Sequence, residues 1–406
     1  MKKILLIAMI ILVKDVANAQ SYAWTQMADF PGGDRYEAFS FAVNGKGYVG
    51  SGISYPGTMV YHNDNWEYDP AANVWVPKSN FPGTGRRGSA FFSSGNKGYM
   101  GTGWTSAQFN DWWEYYPLTD TWTQKANFMG SPRYTAAAFE LDGFGYVGMG
   151  YSPLKKDFYK YDIANNVWNQ ITDIGGLVRQ AAKGFSLNGK GYVVGGGQQG
   201  NYYTNQLWEY NPATNVWTQK SNYPGNGRDA LIVVVVNGKA LVGGGEDGNP
   251  NIYQDFYAYD ATMNTWTQIP DFGGGPRMQA YYFSIGGCGY AGGGASHNWV
   301  GSGPNLKHDL WSVCETTGIE STSLNDAEVK VYYVNEDKIE FDFSKPVQKE
   351  LDLSLYSVTG QILAKYVINP GIKNFPIEIT NFSKGIYLYN LSHQNTIIKT
   401  GKISIR

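Results

Sequence analysis

Arginine recurs at six comparable places along the chain: Arg35, Arg87, Arg133, Arg179, Arg228 and Arg277, each shortly before a short apolar run. A guanidinium is a planar fork of donors that grips a carboxylate at two points. Set around one opening, six of them would hold an acidic ligand. A second series competes for them. Asp64, Asp111, Asp157, Asp255 and Asp309 recur downstream in the same rhythm, with Gln206 in the corresponding fourth place. Paired one to one, the two series would fix a scaffold, and this is the favoured reading. If a ligand is held instead, Arg179 or Arg228, beside the unit without an acid, is the first suspect.

The stretches between these residues are rich in rings and polar tips: Tyr55, Tyr61, His62, Trp104, Phe109, Tyr151, Tyr202, Tyr203, Tyr253, His297, Trp299 and His308. Flat apolar rings with hydrogen-bonding ends stack on sugars or grip a peptide. Packing between neighbouring loops is the plainer role for half or more of them. Tyr61, His62, Trp104, Tyr203, Tyr253 and Trp299 join the arginines as candidate binding residues. Glu37, Asp229, Glu246 and Asp247 are carboxylates for acid–base work, or simply solvated loop charges. No G-x-S-x-G, H-E-x-x-H, P-loop or paired-cysteine zinc pattern occurs. Glu246-Asp247-Gly248-Asn249 has a calcium-like composition without the loop spacing. No catalytic residue, metal or cofactor is assigned.

Composition says what must position these residues. The 406 residues hold 51 Gly, 31 Tyr and 13 Trp, with 16% charged and 16% aromatic side chains. That is too aromatic and too little charged for a disordered chain, and the glycines lack a collagen period. A net charge of −2 argues against a nucleic-acid partner, which needs a basic face. Many short strands and tight turns fit.

The two ends differ from the middle. Met1-Lys2-Lys3, the apolar run Ile4 to Val13 and Ala17-Asn18-Ala19 read as a secretory leader over 1–19 with Gln20 as the new N-terminus. Its removal takes away Lys2, Lys3, Lys14 and Asp15, moving the net charge from −2 to −4. Residues 315–326 are polar and read as a linker. Residues 327–406 alternate with a period of two, as in Lys338-Ile339-Glu340-Phe341-Asp342-Phe343, and contain no Trp. Six or seven strands there predict a small β-sandwich.

Leu355-Tyr356-Ser357-Val358-Thr359-Gly360-Gln361, Phe382-Ser383-Lys384-Gly385-Ile386-Tyr387-Leu388-Tyr389 and Lys399-Thr400-Gly401-Lys402-Ile403 make this tail similar to the C-terminal sorting domain of the type IX secretion system of Bacteroidetes. The family's usual opening Pro-Asn-Pro is replaced by Val331-Tyr332-Tyr333-Val334-Asn335. The resemblance implies the type IX export machinery as a partner, with the protein secreted or held on the outer cell surface.

Over 20–314 the sequence repeats. Trp stands at 24, 75, 122, 168, 217 and 266, with gaps of 51, 47, 46, 49 and 49 residues. Aromatic strands such as Trp66-Glu67-Tyr68-Asp69 and Trp208-Glu209-Tyr210-Asn211 precede it, and glycine clusters such as Gly195-Gly196-Gly197 precede those. Each unit reads as four strands, a to d. One such sheet cannot bury both of its faces, so the copies must stack around an axis. Trp311-Ser312-Val313 lacks a following Trp strand, so Tyr22 to Met27 should complete that last sheet and close the circle.

These features resemble the Kelch repeat. The resemblance implies an all-β chain: a six-bladed Kelch-like propeller at 20–314, then the sandwich. Blades one to three weaken the glycine pair to Gly50-Ser51-Gly52, Gly101-Thr102-Gly103 and Gly148-Met149-Gly150. Loops d–a and b–c share one face, and the candidate residues fall there. Cys288 and Cys314, the two cysteines of the chain, fall on the opposite face of the last blade, where a disulfide is plausible.

Galactose oxidase also has a Kelch-type propeller, but Cys288 is on the wrong face for its Cys-linked Tyr. The boxes of sialidases are absent. The expected function is therefore binding of a carbohydrate or a protein by a monomer, with a sugar-modifying enzyme similar to N-acetylneuraminate epimerase as the alternative.

Overall fold

The computed structural model describes residues 21–406 apart from 56, 152, 249–250, 297–304, 317–328, 336, 358–360, 394–395 and 406. The leader over 1–19, the linker from 317 on, His297 and Trp299 lie outside the described residues. The chain divides into two compact units, one spanning Tyr22–Thr316 and the other including Thr317–Arg406.

The first unit is a propeller of four-stranded antiparallel sheets, six among the described residues. In the first sheet, strand a is Phe39–Val43, b is Lys46–Gly50, c is Asn65–Asp69 and d is Val74–Lys78. Strand a is almost wholly apolar because it is covered on both flanks. Asn44-Gly45, both at positive φ, makes the tight turn to strand b that matches the strands' twist. The a strands of successive sheets pack side by side, and Phe39–Val43 meets both Ala90–Ser94 and Tyr281–Ile285.

Backbone hydrogen bonds link these sheets in a circle. Glu37, Gly88, Thr135, Ala181, Ala230 and Gln279, just ahead of the six a strands, all take φ between 51° and 63°. Each N–H donates to the carbonyl of its counterpart in the preceding sheet, and Glu37 closes the circle by donating to Gln279 at 3.1 Å. Left-handed backbone costs a non-glycine residue about 1–2 kcal/mol. Here it is offset by a hydrogen bond that joins two sheets.

Ser21–Gln26 is the outer strand of the last sheet, beside Leu310–Thr316. Trp24 donates its indole N–H to Pro270 O at 3.2 Å. Trp75, Trp122, Trp168, Trp217 and Trp266 make the same bond to Ala28, Ser79, Ala126, Thr172 and Ser221. Each Trp straps an outer strand to the connection arriving from the sheet before it. This is the physical content of the near-regular Trp spacing. Cys288 and Cys314 stand directly opposite on strands b and c of the last sheet, Cα atoms 4.3 Å apart, and are joined as a disulfide.

The second unit is a sandwich. Val329–Asn335, Lys338–Phe343 and Asn374–Glu378 form one sheet; Leu351–Ser357, Ile362–Ile368, Gly385–His393 and Thr396–Ile405 form the other. Alternate residues Ile339, Phe341 and Phe343 meet Leu351, Leu353 and Leu355 in one shared core.

Candidate functional site

The repeated arginines serve the scaffold. Arg35, Arg86, Arg133, Arg179, Arg228 and Arg277 are each no more than 1% exposed. Arg133 shows the pattern: Nη1 donates to Asp157 Oδ1 at 2.6 Å and to Met149 O at 3.0 Å, and Nη2 donates to Asp157 Oδ2 at 2.8 Å. Arg35 pairs with Asp64, Arg86 with Asp111, Arg228 with Asp255 and Arg277 with Asp309. The guanidinium thus ties the end of strand b to the start of strand c. Phe30, Phe81, Phe128, Tyr223 or Phe272 lies against it, 4.8–5.2 Å from ring centroid to Cζ.

Two expectations are corrected. The ligand role considered for Arg35, Arg133, Arg179, Arg228 and Arg277 fails because the side chains are sealed and their terminal nitrogens are turned inward onto carbonyls and, except at Arg179, a carboxylate. Arg87 is not the second member of the series. Each series arginine stands four positions before the first residue of its a strand, and that offset selects Arg86, before Ala90. Arg179, the first suspect, is also sealed. It donates to Gly195 O, Gly175 O and Gln206 Oε1, each at 3.2 Å. With a neutral partner in place of an acid, burial pushes its guanidinium down to about 10. Arg228 is covered by the Tyr253 ring at 3.6 Å, and Tyr253 itself donates to Asp247 Oδ2 at 2.5 Å.

Displaced from the series, Arg87 stands at the axial mouth. Its side chain keeps 21% exposure and bonds Glu37 Oε2 at 2.9 Å. Trp104 and Tyr134 stand at 5.0 and 5.5 Å from its Cζ, in cation–π range. Tyr61 meets Trp104, Trp104 meets Tyr134 and Tyr134 meets Tyr151, with centroids 5.8, 6.1 and 5.5 Å apart. The result is a continuous aromatic arc with one guanidinium against it.

The other side of the mouth is acidic. Asp229 and Glu246 are held together by reciprocal backbone hydrogen bonds of 2.9 and 3.1 Å. Asp229 is 6% exposed, and its Oδ1 has no protein partner. Burial, then the charge of Glu246, holds its carboxyl well above the usual carboxylate range, with Lys183 opposing. Burial, then Asp229, Glu246 and Asp247, pushes Tyr203 up to about 12.

Beneath the mouth lies a narrow axial chamber of about 50 Å³, half of whose lining residues are alanines, with Phe91 and Tyr282 also in its lining. Glu37 and Lys183 line it. The Lys183 ammonium lies 5.5 Å from the Tyr282 ring centroid, and burial lowers its pKa while Glu37 and Asp229 raise it. Lys183 was not among the expected residues. The available signal was a lysine at the first position of strand a, where the other sheets have Phe39, Ala90, Ala137, Ile232 and Tyr281.

The remaining candidates are scattered. His62 accepts or donates at Ser54 Oγ, 2.7 Å away. His308 Nδ1 is 2.6 Å from Asp34 Oδ1. Phe109 lies on Arg86 at 3.9 Å. Tyr55 and Tyr202 are exposed.

Asp229 also yields a pH prediction. Its folded pKa lies above the unfolded value near 3.8, so the folded chain binds a proton more tightly and stability falls as pH rises past that value. Asp229→Asn is neutral at every pH. It should therefore melt higher than the parent at about pH 7.5, with the gain fading toward about pH 3. An equal or lower melting temperature at about pH 7.5 would contradict the assignment of a strained buried carboxyl.

Two family models match the chain: the KLHDC2/KLHL20/DRC7 Kelch-repeats domain over residues 131–294 and the secretion system C-terminal sorting domain over residues 335–406. Among curated proteins, the chain is similar to N-acetylneuraminate epimerase of Haemophilus influenzae (strain PittEE), 35% identical over 82 residues, which is 20% of this chain and 22% of the relative. N-acetylneuraminate epimerase of Shigella flexneri serotype 5b (strain 8401) is 34% identical over 85 residues, 20% of this chain and 23% of the relative. The chain thus spans less than a quarter of the length of these relatives.

Proposed function

Since the chain is a Kelch-repeat protein that ends in a secretion-system sorting domain, which marks it for secretion or the cell surface, we propose that its propeller is an extracellular binding module whose axial mouth takes a carbohydrate bearing a carboxylate. The observation that carries this reading is the arc Tyr61–Trp104–Tyr134–Tyr151 around Arg87. Rings of this kind stack on the apolar face of a pyranose. Arg87 adds a donor fork that is partly open to solvent, unlike the sealed series arginines. The ligand's carboxylate would share the guanidinium with Glu37.

The test is a glycan array with purified protein. Trp104→Ala should weaken binding to acidic glycans at least tenfold while melting shifts little, because Trp104 is only half-buried. Binding unchanged by Trp104→Ala would overturn the site; binding only to a protein partner in pull-down would overturn the ligand class.

A second reading is a sugar-modifying enzyme in the manner of the epimerases to which a fifth of the chain is similar. It is favoured by Asp229, a carboxyl biased to hold its proton beside the amine of Lys183, as an acid–base site needs. Anomer exchange of free N-acetylneuraminate, followed by proton NMR, separates the readings. Exchange faster than the protein-free rate, lost in Asp229→Asn, supports the enzyme.

A further inference from the structure

A second pocket lies away from the axis, between the first and last sheets. It is a half-open cleft of about 390 Å³ lined by Gly32, Gly33, Asp34, Ser54, Tyr55 and Leu306 among others. That volume is in the range of small-ligand sites. Ser54 lies in its wall with Oγ 2.7 Å from His62 Nε2.

Both residues are held by backbone. Ile53-Ser54 pairs with Val60-Tyr61 in a short ladder, Ser54 opposite Val60. The His62 N–H donates to Gly52 O at 3.0 Å, and the His62 carbonyl accepts from Arg86 N at 3.2 Å. Arg86 is anchored in turn by Asp111. The imidazole therefore sits on the rigid part of the repeat. Burial and the charge of Arg35 lower its pKa, which favours the neutral ring; in the tautomer protonated on Nδ1, Nε2 accepts from Ser54 Oγ.

We infer that Ser54 and His62 form a nucleophile–base pair that cleaves small carboxylic esters in this pocket. The hydroxyl and imidazole are within the reach that such activation requires. Ser54 Oγ bonds to the ester carbonyl carbon as its proton passes to His62 Nε2. The bond from that carbon to the alcohol oxygen breaks, and the departing oxygen takes the proton from Nε2. Water then adds to the acyl carbon and gives a proton to Nε2. The acid leaves as Ser54 recovers that proton. Asp34 in the wall and Asp29 nearby flank His308, at 2.6 and 3.9 Å. Two carboxylates against one imidazole disfavour an anionic ester, so the substrate is neutral or cationic.

This inference is independent of the axial mouth. The full chain is incubated with a fluorophosphonate and adducts are mapped by peptide mass spectrometry; p-nitrophenyl acetate hydrolysis is followed in parallel. The adduct is expected on Ser54. Ser54→Ala should abolish it, and His62→Gln should slow labelling and hydrolysis at least about a hundredfold. No adduct on Ser54 in the wild-type chain overturns the pair, and that measurement needs no variant to fold. Labelling at an undiminished rate in a folded His62→Gln chain also overturns it, leaving the hydrogen bond as a hairpin staple.

Discussion

Arg133→Ala is expected to lower the unfolding free energy of the propeller by about 3–5 kcal/mol, the usual cost of removing one partner from a buried ion pair. Arg133 is fully buried and donates to Asp157, Met149 O and Ser131 O. The variant leaves the Asp157 carboxylate without its cation, strands the Met149 carbonyl and opens a cavity against Phe128. Asp157 is 20% exposed on its side chain, so water recovers part of the loss. Tryptophan fluorescence in denaturant reads the effect cleanly, because all 13 Trp precede residue 327 and the sandwich contributes none. A loss below about 1 kcal/mol would mean that the repeated Arg–Asp pairs do not hold the sheets.

Replacing Cys288 and Cys314 together by Ser should cost about 3.5 kcal/mol. The bridge closes a loop with a sequence separation of 26 residues, and restricting that loop in the unfolded chain gives this figure in the chain-entropy account. Its placement adds to its weight. Strand c of the last sheet runs only to Thr316 and is flanked by the strand that completes the circle, Ser21–Gln26. Loosening it frees both ends of the propeller at once. Reductant should act in the same direction on the parent and leave the double variant unmoved. Equal unfolding midpoints for parent and double variant in non-reducing buffer would refute the effect.

The periodic parts of the fold were legible in the sequence, and the reason is physical. Trp75 and its counterparts, the Asn-Gly turns and the glycine clusters answer to backbone geometry repeated in every sheet, so they recur. Trp24 was readable as the completing strand because its counterpart after Trp311 was missing. The Asp series announced the partners of the buried arginines. The site was less legible because it is built where the repeat is broken. Arg86-Arg87 is a doublet in which one residue obeys the pattern and its neighbour is released to the mouth; only the offset of four positions to strand a tells them apart. Lys183 replaces a hydrophobic residue at a single sheet. Ser54 and His62 meet through a hairpin register that no spacing rule gives. Glu37 and Asp229 were visible as carboxylates, but their separate circumstances, one paired with Arg87 and one orphaned beside Glu246, come from position around the axis.

Labour is divided between the sealed arginines, which tie strands within the sheets, and Arg87, which we propose faces a ligand. Arg87→Lys tests this division most directly, since lysine keeps the charge beside Glu37 but loses the planar fork stacked against Trp104. Acidic-glycan affinity and the fluorescence melting temperature are measured on the same sample. Affinity is expected to fall at least tenfold with melting held within about 3 °C. Unchanged affinity, or a melting temperature that collapses as in Arg133→Ala, would place Arg87 with the scaffold and contradict the division.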